Sequence, residues 1–363
     1  MIYLDYNASV PLRPCAKKAM LEVYDLEGNP SSPHFAGRKI RALIDEARKS
    51  LVKGVHGQRL VFTSGGTEAN ALALSGLGEI PLVISSIEHE SVLKVHENPC
   101  IAPVTAEGVI DLERLEELLS SFESPGLLSL MLVNNETGVI QPLPEAVIMA
   151  RKLGWKVHTD ASQALGHIPL FFEELGVDMM TLSSHKCGGP TGIGALVLKE
   201  DLHLHPLIRG GGQEFGMRSG TLAAPLIVGF AAAALEALSE REEQIKRLRG
   251  LQKKVEEALP MAQVHGKESP RAAHVLCLGM PGVSSELQLM SFDLKSIAIS
   301  MGAACSSGKT KESHVLRAMG LSSETVKCAI RMSMGWKTSE KDIDNFIKAW
   351  NEIFLSQKMK EAS

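Results

Sequence analysis

Val61-Phe-Thr-Ser-Gly-Gly-Thr-Glu-Ala-Asn70 is the stretch on which the fold turns. The β-branched and aromatic run 59–63 reads as a strand, two glycines follow, and 67–77 reads as a helix. A strand that passes through glycine into a helix aims free backbone N–H groups and the positive end of the helix dipole at one point, which suits a phosphate. The same glycines also suit a tight turn with no ligand. The spacing is neither that of a nucleoside-triphosphate loop nor the Gly-x-Gly-x-x-Gly of a dinucleotide fold, so some other phosphorylated ligand is called for.

Outward from this stretch, further strand-like runs at 81–85, 126–133, 156–159, 179–183 and 193–198 alternate with helical runs at 34–52, 112–122 and 144–153. Alternation of this kind predicts an α/β fold around a mainly parallel sheet, with cofactors at the carboxyl ends of the strands. From Ala223 a long helical stretch of mixed charge runs toward Leu259 as a connector. Beyond it, strands at 274–277, 297–301 and 329–334 predict a smaller α/β domain, which the strand at 2–5 either joins or leaves for the larger one. The expected division is a large cofactor-binding domain, 12–240, and a small domain made of 1–11 and 241–363.

The 363 residues suit two domains. A formal net charge of −4 gives no polybasic footprint, and 4% aromatics leave little for stacking single-stranded nucleic acid, so no direct nucleic-acid partner is expected. The opening MIYLDYNASVP carries no secretory pattern. The most apolar segment, 223–238, contains Pro225 and Glu236 and is shorter than the ~20 residues of a membrane span. A soluble, cytoplasmic protein is the expectation. Six cysteines without any C-x-x-C pair argue against a zinc ribbon or a disulfide framework, and no metal site is expected.

Several strand ends carry chemistry. Asp160 closes the run Trp155-Lys-Val-His-Thr-Asp, and Lys186 follows Met179-Met-Thr-Leu-Ser-Ser-His, so the two can meet at one sheet edge. A desolvated lysine that forms an imine and a carboxylate that holds a protonated pyridine nitrogen are the two handles pyridoxal phosphate requires. Singly, each is more often a surface lysine or a helix cap. His89 reaches the same edge, able to stack on a ring and move protons, although a lone histidine is more often structural. Asn135 offers an amide to a ring hydroxyl, or else shapes a turn before Glu-Thr-Gly. Cys305, in Ser300-Met-Gly-Ala-Ala-Cys-Ser-Ser-Gly-Lys, is the best candidate for an exposed thiol nucleophile, with Lys309 and Lys311 favouring thiolate. Cys277 reads as packed, and the orientation of Cys187 stays open. Arg331, on a predicted strand, either clamps a substrate carboxylate or forms a structural salt bridge.

Taken in order, Tyr3-Leu-Asp-Tyr-Asn-Ala, Gly28-Asn-Pro-Ser-Ser, Thr63-Ser-Gly-Gly-Thr-Glu, Glu88-His, Val133-Asn-Asn-Glu-Thr-Gly, His158-Thr-Asp-Ala-Ser-Gln, Ser183-Ser-His-Lys, Gly210-Gly-Gly-Gln-Glu, Gly216-Met-Arg-Ser-Gly-Thr and the Cys305 loop through His314-Val-Leu-Arg-Ala-Met-Gly resemble the NifS/IscS-type cysteine desulfurases. These are class V, fold-type I pyridoxal-phosphate enzymes, and the resemblance spans nearly the whole chain. It implies that Lys186 carries pyridoxal 5'-phosphate as an imine, Asp160 meets the pyridine nitrogen, Gln163 and Asn135 the ring's oxygen side, and His89 the ring face. Gly66, Thr67, Ser183 and His185 would meet the phosphate, with Ser184 in the same turn. Thr221 would reach the phosphate of a neighbouring subunit, implying a homodimer. Cys305 would take sulfur from L-cysteine as a persulfide, releasing alanine, while Arg331 and Asn7 would hold the substrate carboxylate. A sulfur acceptor, such as an iron–sulfur scaffold or a tRNA-thiolation protein, would follow.

The chain departs from that pattern at Asn7-Ala-Ser-Val-Pro, where Ala-Thr-Thr-Pro is usual, at Ala71 in place of asparagine, and at Gly335-Trp in place of a frequent Gly-Arg. Many relatives also carry a longer tail for docking the scaffold. Three rival readings remain: a selenocysteine lyase on the same fold, a cofactor-free thiol hydrolase built on Cys305, His89 and Asp160, and a non-catalytic scaffold.

Overall fold

Arg59–Thr63 is a strand, and four of its five residues are buried. Unbroken burial, rather than alternation, marks a strand covered on both faces. The computed structural model describes residues 1–301 and 312–361. Within them the strands are β1 (Ile2–Tyr3), β2 (Arg59–Thr63), β3 (Leu82–Ser85), β4 (Cys100–Ala102), β5 (Leu127–Ser129), β6 (Lys156–Asp160) and β7 (Met179–Ser183). They continue with β8 (Gly194–Leu198), β9 (Gln263–Val264), β10 (Val275–Gly279), β11 (Ile297–Ala298), β12 (Ser300–Met301) and β13 (Ala329–Ser333).

The large sheet runs in the order β2-β8-β7-β6-β5-β3-β4. From β4 through β7 every pair is parallel, as the alternation predicts, whereas β8 is antiparallel to both β7 and β2. The link 184–193 is too short for a helical crossover, so the chain returns antiparallel. One expectation is corrected here, and one strand is new. The run 126–133 pairs as a ladder only over Leu127–Ser129, although the amides of Leu130 and Leu132 still donate to the carbonyls of His158 and Asp160. The edge strand Cys100–Ala102 is short and broken by Pro103, which left its periodicity unreadable in sequence.

A second sheet, β12-β13-β10-β9, is antiparallel throughout. The expected single strand 297–301 divides at Ile299: β11 pairs in parallel with β1, while β12 pairs with β13. The N-terminal strand thus sits with the C-terminal third of the chain, and Asp5 bridges to Ser333. The helix Ala224–Ala258 connects the two parts. Its Ile227, Phe230 and Ala234 pack in the core around Phe62 and Phe172, and its Leu248, Leu251 and Val255 in the core around Phe292, Phe346 and Trp350. No described helix is long and apolar enough to cross a membrane.

Close backbone approach at the start of β8 sets the height of the Gly65-Gly66 turn. A Cβ on Gly194 would lie 2.5 Å from the Gly65 carbonyl carbon, and backbone cannot rotate aside as a side chain can. Gly194→Ala should therefore cost about 1–3 kcal/mol of stability in urea unfolding, the usual penalty of overpacking. It should also weaken whatever the neighbouring turn binds.

Candidate active site

Strand direction delivers the chemical residues to one edge. In a parallel sheet all carboxyl ends point the same way, so the segments after β3, β5, β6 and β7 converge. There they line a cavity of about 500 Å³, closed on the other side by Asn7, Arg331 and the apolar Leu289, Ile299 and Met301. Gly66, Thr67, His89, Asn135, Asp160, Gln163, Ser183, His185 and Lys186 all face it. Of the residues expected from sequence, Ser184 and Thr221 are not on its wall. Ser184 is buried, its Oγ lying only 2.2 Å from where a Cβ on Gly189 would stand, which shows that it fills the turn behind the cavity. Thr221 is exposed on the surface. Cys305 lies outside the described residues.

Ser184–Lys186 is a single 3-10 turn at the end of β7. It carries Lys186 out of the sheet, and the Nζ donates to the carbonyls of Asn7 and, at 3.2 Å, Ala8. Burial, then the positive charge of Arg331, lowers its pKa from 10.5 to about 8, against the opposing pull of Asp160 and Asp5. An amine so poised has a sizeable neutral fraction near neutrality, the form that attacks a carbonyl.

Asp160 is the last residue of β6 and is buried. Its Oδ1 accepts from the amide of Ser162 at 2.9 Å and its Oδ2 from Asn70 Nδ2 at 2.8 Å. Asn70 was not foreseen as a site residue, although it closes the stretch that decides the fold. One turn into the helix Gly66–Ser75, it also donates to Ser91 Oγ at 2.8 Å. Ser91 Oγ lies 2.8 Å from His89 Nδ1, and the Ser91 amide donates to the same nitrogen at 3.1 Å. A polar chain therefore runs from Asp160 through Asn70 and Ser91 to His89. Because Nδ1 accepts, the proton of the neutral ring resides on Nε2. Burial lowers the His89 pKa, Asp160 opposes this and Lys186 adds to it, so the neutral ring is favoured.

Glu88, fully buried, accepts from Ser85 Oγ and the Met131 amide, both at 2.7 Å, and ties the His89 turn to the chain after β5. Burial pushes its carboxyl up to about 8. The Asn134–Thr137 turn separates two roles that the sequence could not. Asn134 Oδ1 accepts from the amides of Glu136 and Thr137, so it shapes the turn. Asn135 then faces the cavity with a buried Oδ1 that has no partner.

Arg331 donates through Nη2 to Asp5 at 2.9 Å and through Nη1 to the Asn135 carbonyl at 3.0 Å. The salt bridge offered as its structural reading is thus present. Its buried Nε has no partner. Asn7 donates to the same Asn135 carbonyl, and its own Oδ1 is buried and unpaired. Cys187, left open by the sequence, donates its thiol to the Ser184 carbonyl at 3.2 Å, and burial pushes it up to about 12. It is inert, and it does not line the cavity.

Lys186 with its lowered pKa, the buried Asp160 carboxylate, the N-terminus of the helix Gly66–Ser75 and the unpartnered amide oxygens of Asn7 and Asn135 thus border one cavity. The aminotransferase class-V family model matches residues 2–346. The cysteine desulfurase IscS of Dictyoglomus turgidum is 35% identical, over 94% of this chain and 92% of that protein. A NifS-like protein from Rickettsia africae superposes with a TM-score of 0.92 at 34% identity, covering 98% of this chain and 99% of the other. SspA, solved in complex with cysteine, gives a TM-score of 0.77 at 28% identity over 92% of this chain and 99% of its own. The chain belongs to the aminotransferase class-V family, among its IscS- and NifS-type cysteine desulfurases.

Proposed function

We propose that the protein is a pyridoxal-phosphate-dependent cysteine desulfurase that converts L-cysteine to L-alanine and leaves the sulfur as a persulfide on Cys305. The observation that carries this reading is the presence of Lys186 and Asp160 on one cavity wall beside the N-terminus of the helix Gly66–Ser75. Lys186 would hold the cofactor's aldehyde carbon, Asp160 its ring nitrogen, Asn135 and Gln163 its ring oxygen. Gly66, Thr67, Ser183 and His185 would hold the phosphate, with Ser184 bracing the turn from behind. Bound there, the cofactor supplies an electron sink for the carbon beside the substrate amine.

The chain's own residues divide the remaining work. With Nδ1 accepting from Ser91, His89 carries its proton on Nε2 and is placed to donate. Removal of the substrate's α-proton accordingly falls to the Lys186 amine once it is freed. Arg331 Nε and Asn7 meet the substrate carboxylate. The balance is closed: the S–S bond formed on Cys305 replaces the substrate's C–S bond, the proton lost by the Cys305 thiol takes the place of sulfur on the β-carbon, and the α-proton removed by Lys186 is returned to the α-carbon, giving alanine.

Residues 12–240 would form the cofactor-binding unit and 1–11 with 241–363 the unit that carries Cys305, a division supported by the core around Phe292, Phe346 and Trp350, which draws only on the second unit, while Ile87 and Met131 pack with Cys277 and Val315 across the boundary. A homodimer in which the exposed Thr221 completes the neighbour's phosphate site fits its position off this chain's own cavity. The sulfur then passes to an acceptor protein, an iron–sulfur scaffold being the class that the family relationship favours.

The test is a visible spectrum before and after L-cysteine, with alanine quantified in the same sample. A borohydride-bleachable absorbance and stoichiometric alanine are expected, and Cys305→Ala should slow alanine release by about 10²-fold or more, since it removes the nucleophile. A colourless protein would favour a thiol hydrolase. Undiminished cysteine turnover in Cys305→Ala would overturn the mechanism, and turnover of L-selenocysteine alone would favour the lyase.

A further inference from the structure

Across the turn that bears Lys186 and the two residues after it, four consecutive carbonyls each accept a hydrogen bond from outside their own segment. The His185 carbonyl accepts from the Val10 amide at 2.9 Å and the Gly188 carbonyl from the Arg13 amide at 2.8 Å. The Lys186 carbonyl accepts from His167 Nε2 at 3.3 Å, and the Cys187 carbonyl from Arg13 Nε at 3.2 Å. No ladder fixes this stretch, because β7 has ended at Ser183 and β8 begins at Gly194. Inside the stretch the Cys187 and Gly189 amides both donate to the Ser184 carbonyl, so the four outside donors set how this turn sits against the rest of the chain, and Arg13 supplies two of them, its Nε and its backbone amide.

Arg13 is itself held from every side. It is 5% exposed, and its Nη1 lies 2.7 Å from Glu236 and 2.8 Å from Glu240 on the long connecting helix. Trp336 lies over the guanidinium at 5.5 Å, and the indole N–H donates to the Pro11 carbonyl at 3.4 Å. Gly188 has φ +91°, and a Cβ there would stand 2.7 Å from Arg13 Cγ, so the turn is pressed directly against the arginine's stem. Trp336 and the two glutamates come from different parts of the chain, yet all converge on a residue that does not line the cavity.

We propose that Arg13, clamped by Glu236, Glu240 and Trp336, is a positioning residue that sets the placement of Lys186 through the Cys187 and Gly188 carbonyls. The proposal rests on Lys186 being the residue that bears the cofactor. A long side chain anchored on an irregular turn inherits any rotation of the peptide planes that follow it. A displacement of about 1 Å at a reacting group can cost about 10²-fold in rate, even when the altered residue lies away from the chemistry.

The experiment uses the holoenzyme with Arg13→Met, which keeps the apolar stem and removes both the Nε donor and the charge, Arg13→Lys, and the double variant Glu236→Gln/Glu240→Gln. Expected are a kcat lowered by about 10²-fold in Arg13→Met with KM within about twofold. A shift in the pH at which the cofactor's visible absorbance titrates is also expected, as is slower development of that absorbance when pyridoxal phosphate is added back to stripped protein. The double variant, which leaves Arg13 in place, should move all three readouts in the same direction by less, and Arg13→Lys should recover little because its single nitrogen cannot serve both the glutamates and the Cys187 carbonyl. A lowered melting temperature with unchanged spectral titration and unchanged kcat would make Arg13 a purely structural residue and overturn the proposal. If Arg13→Met does not fold, the double variant with its partly exposed carboxylates decides by the same three readouts. Borohydride bleaching of the unsubstituted enzyme separates the two ideas: its failure removes the cofactor reading, whereas normal bleaching with indifferent variants removes only the role of Arg13.

Discussion

Lys186→Met should abolish desulfuration, with turnover reduced by at least about 10³-fold, because on the proposed function one substitution removes both the covalent attachment point and the base. The substituted chain should also lose its borohydride-sensitive absorbance. A second consequence concerns stability and has a definite sign. In the folded chain the amine titrates near 8, whereas unfolded it stays protonated up to its usual 10.5. Between those values the unfolded chain binds more protons, so stability of the cofactor-free protein rises with pH through that window. Below it both states are protonated and the folded state bears the full cost of a buried charge. A shift from 10.5 to about 8 corresponds to about 3 kcal/mol, reduced to about 2 kcal/mol by solvent on the open side of the cavity. Lys186→Met should therefore make the cofactor-free chain more stable at pH 7 by that order and flatten the rise between pH 8 and 10.5. Urea titrations at several pH values would show it, and an equally steep pH dependence in the variant would refute the placement of the charge.

Asp160→Asn should be the second large effect, and the structure explains why it reads out chemistry rather than folding. The amide oxygen introduced by the substitution can still accept from the Ser162 amide. The new amide nitrogen would face Asn70 Nδ2; rotating the Asn70 amide presents its otherwise unpartnered Oδ1 as an acceptor both to it and to the Ser91 hydroxyl, which then donates where it now accepts. Little stability should be lost. On the proposed function, what disappears is the negative charge that would stand opposite the cofactor's ring nitrogen, and with it the electron demand of the ring. A fall in kcat of about 10²–10³-fold is expected, as for removal of a preorganised electrostatic partner. Retained binding of pyridoxal phosphate, measured by its visible spectrum, would accompany it. Unaltered kcat would show that the carboxylate is only a cap for the Ser162 turn.

Much of this is legible in the amino-acid sequence, for a definable reason. Strand runs 59–63 and 179–183 match the ladders observed, since each is a buried β-branched or apolar block closed by a polar residue, a signal that is local. His89, Asn135, Asp160 and Lys186 could be placed at one edge because parallel strands share a direction, which needs only the order of elements. The split of 297–301 was illegible, since the change of pairing partner at Ile299 depends on where β1 lies, nearly three hundred residues earlier in the chain. Asn70, Ser91 and Arg13 escaped for the same reason. Each is an ordinary polar residue in sequence and acquires its function from a partner that only folding brings near.

What the amino-acid sequence determined alone is the alternation of strands and helices, the strand-end positions of the chemical residues, and their correspondence to a family pattern, because these depend on neighbours within a few residues. The tertiary structure decided the protonation and the reach of those groups. Lys186 is depressed by burial beside Arg331, His89 holds its proton on Nε2 because Ser91 donates to the other nitrogen, and Arg331 shares its guanidinium with Asp5. Desolvation and hydrogen-bond direction are properties of a three-dimensional surrounding, so no local pattern encodes them.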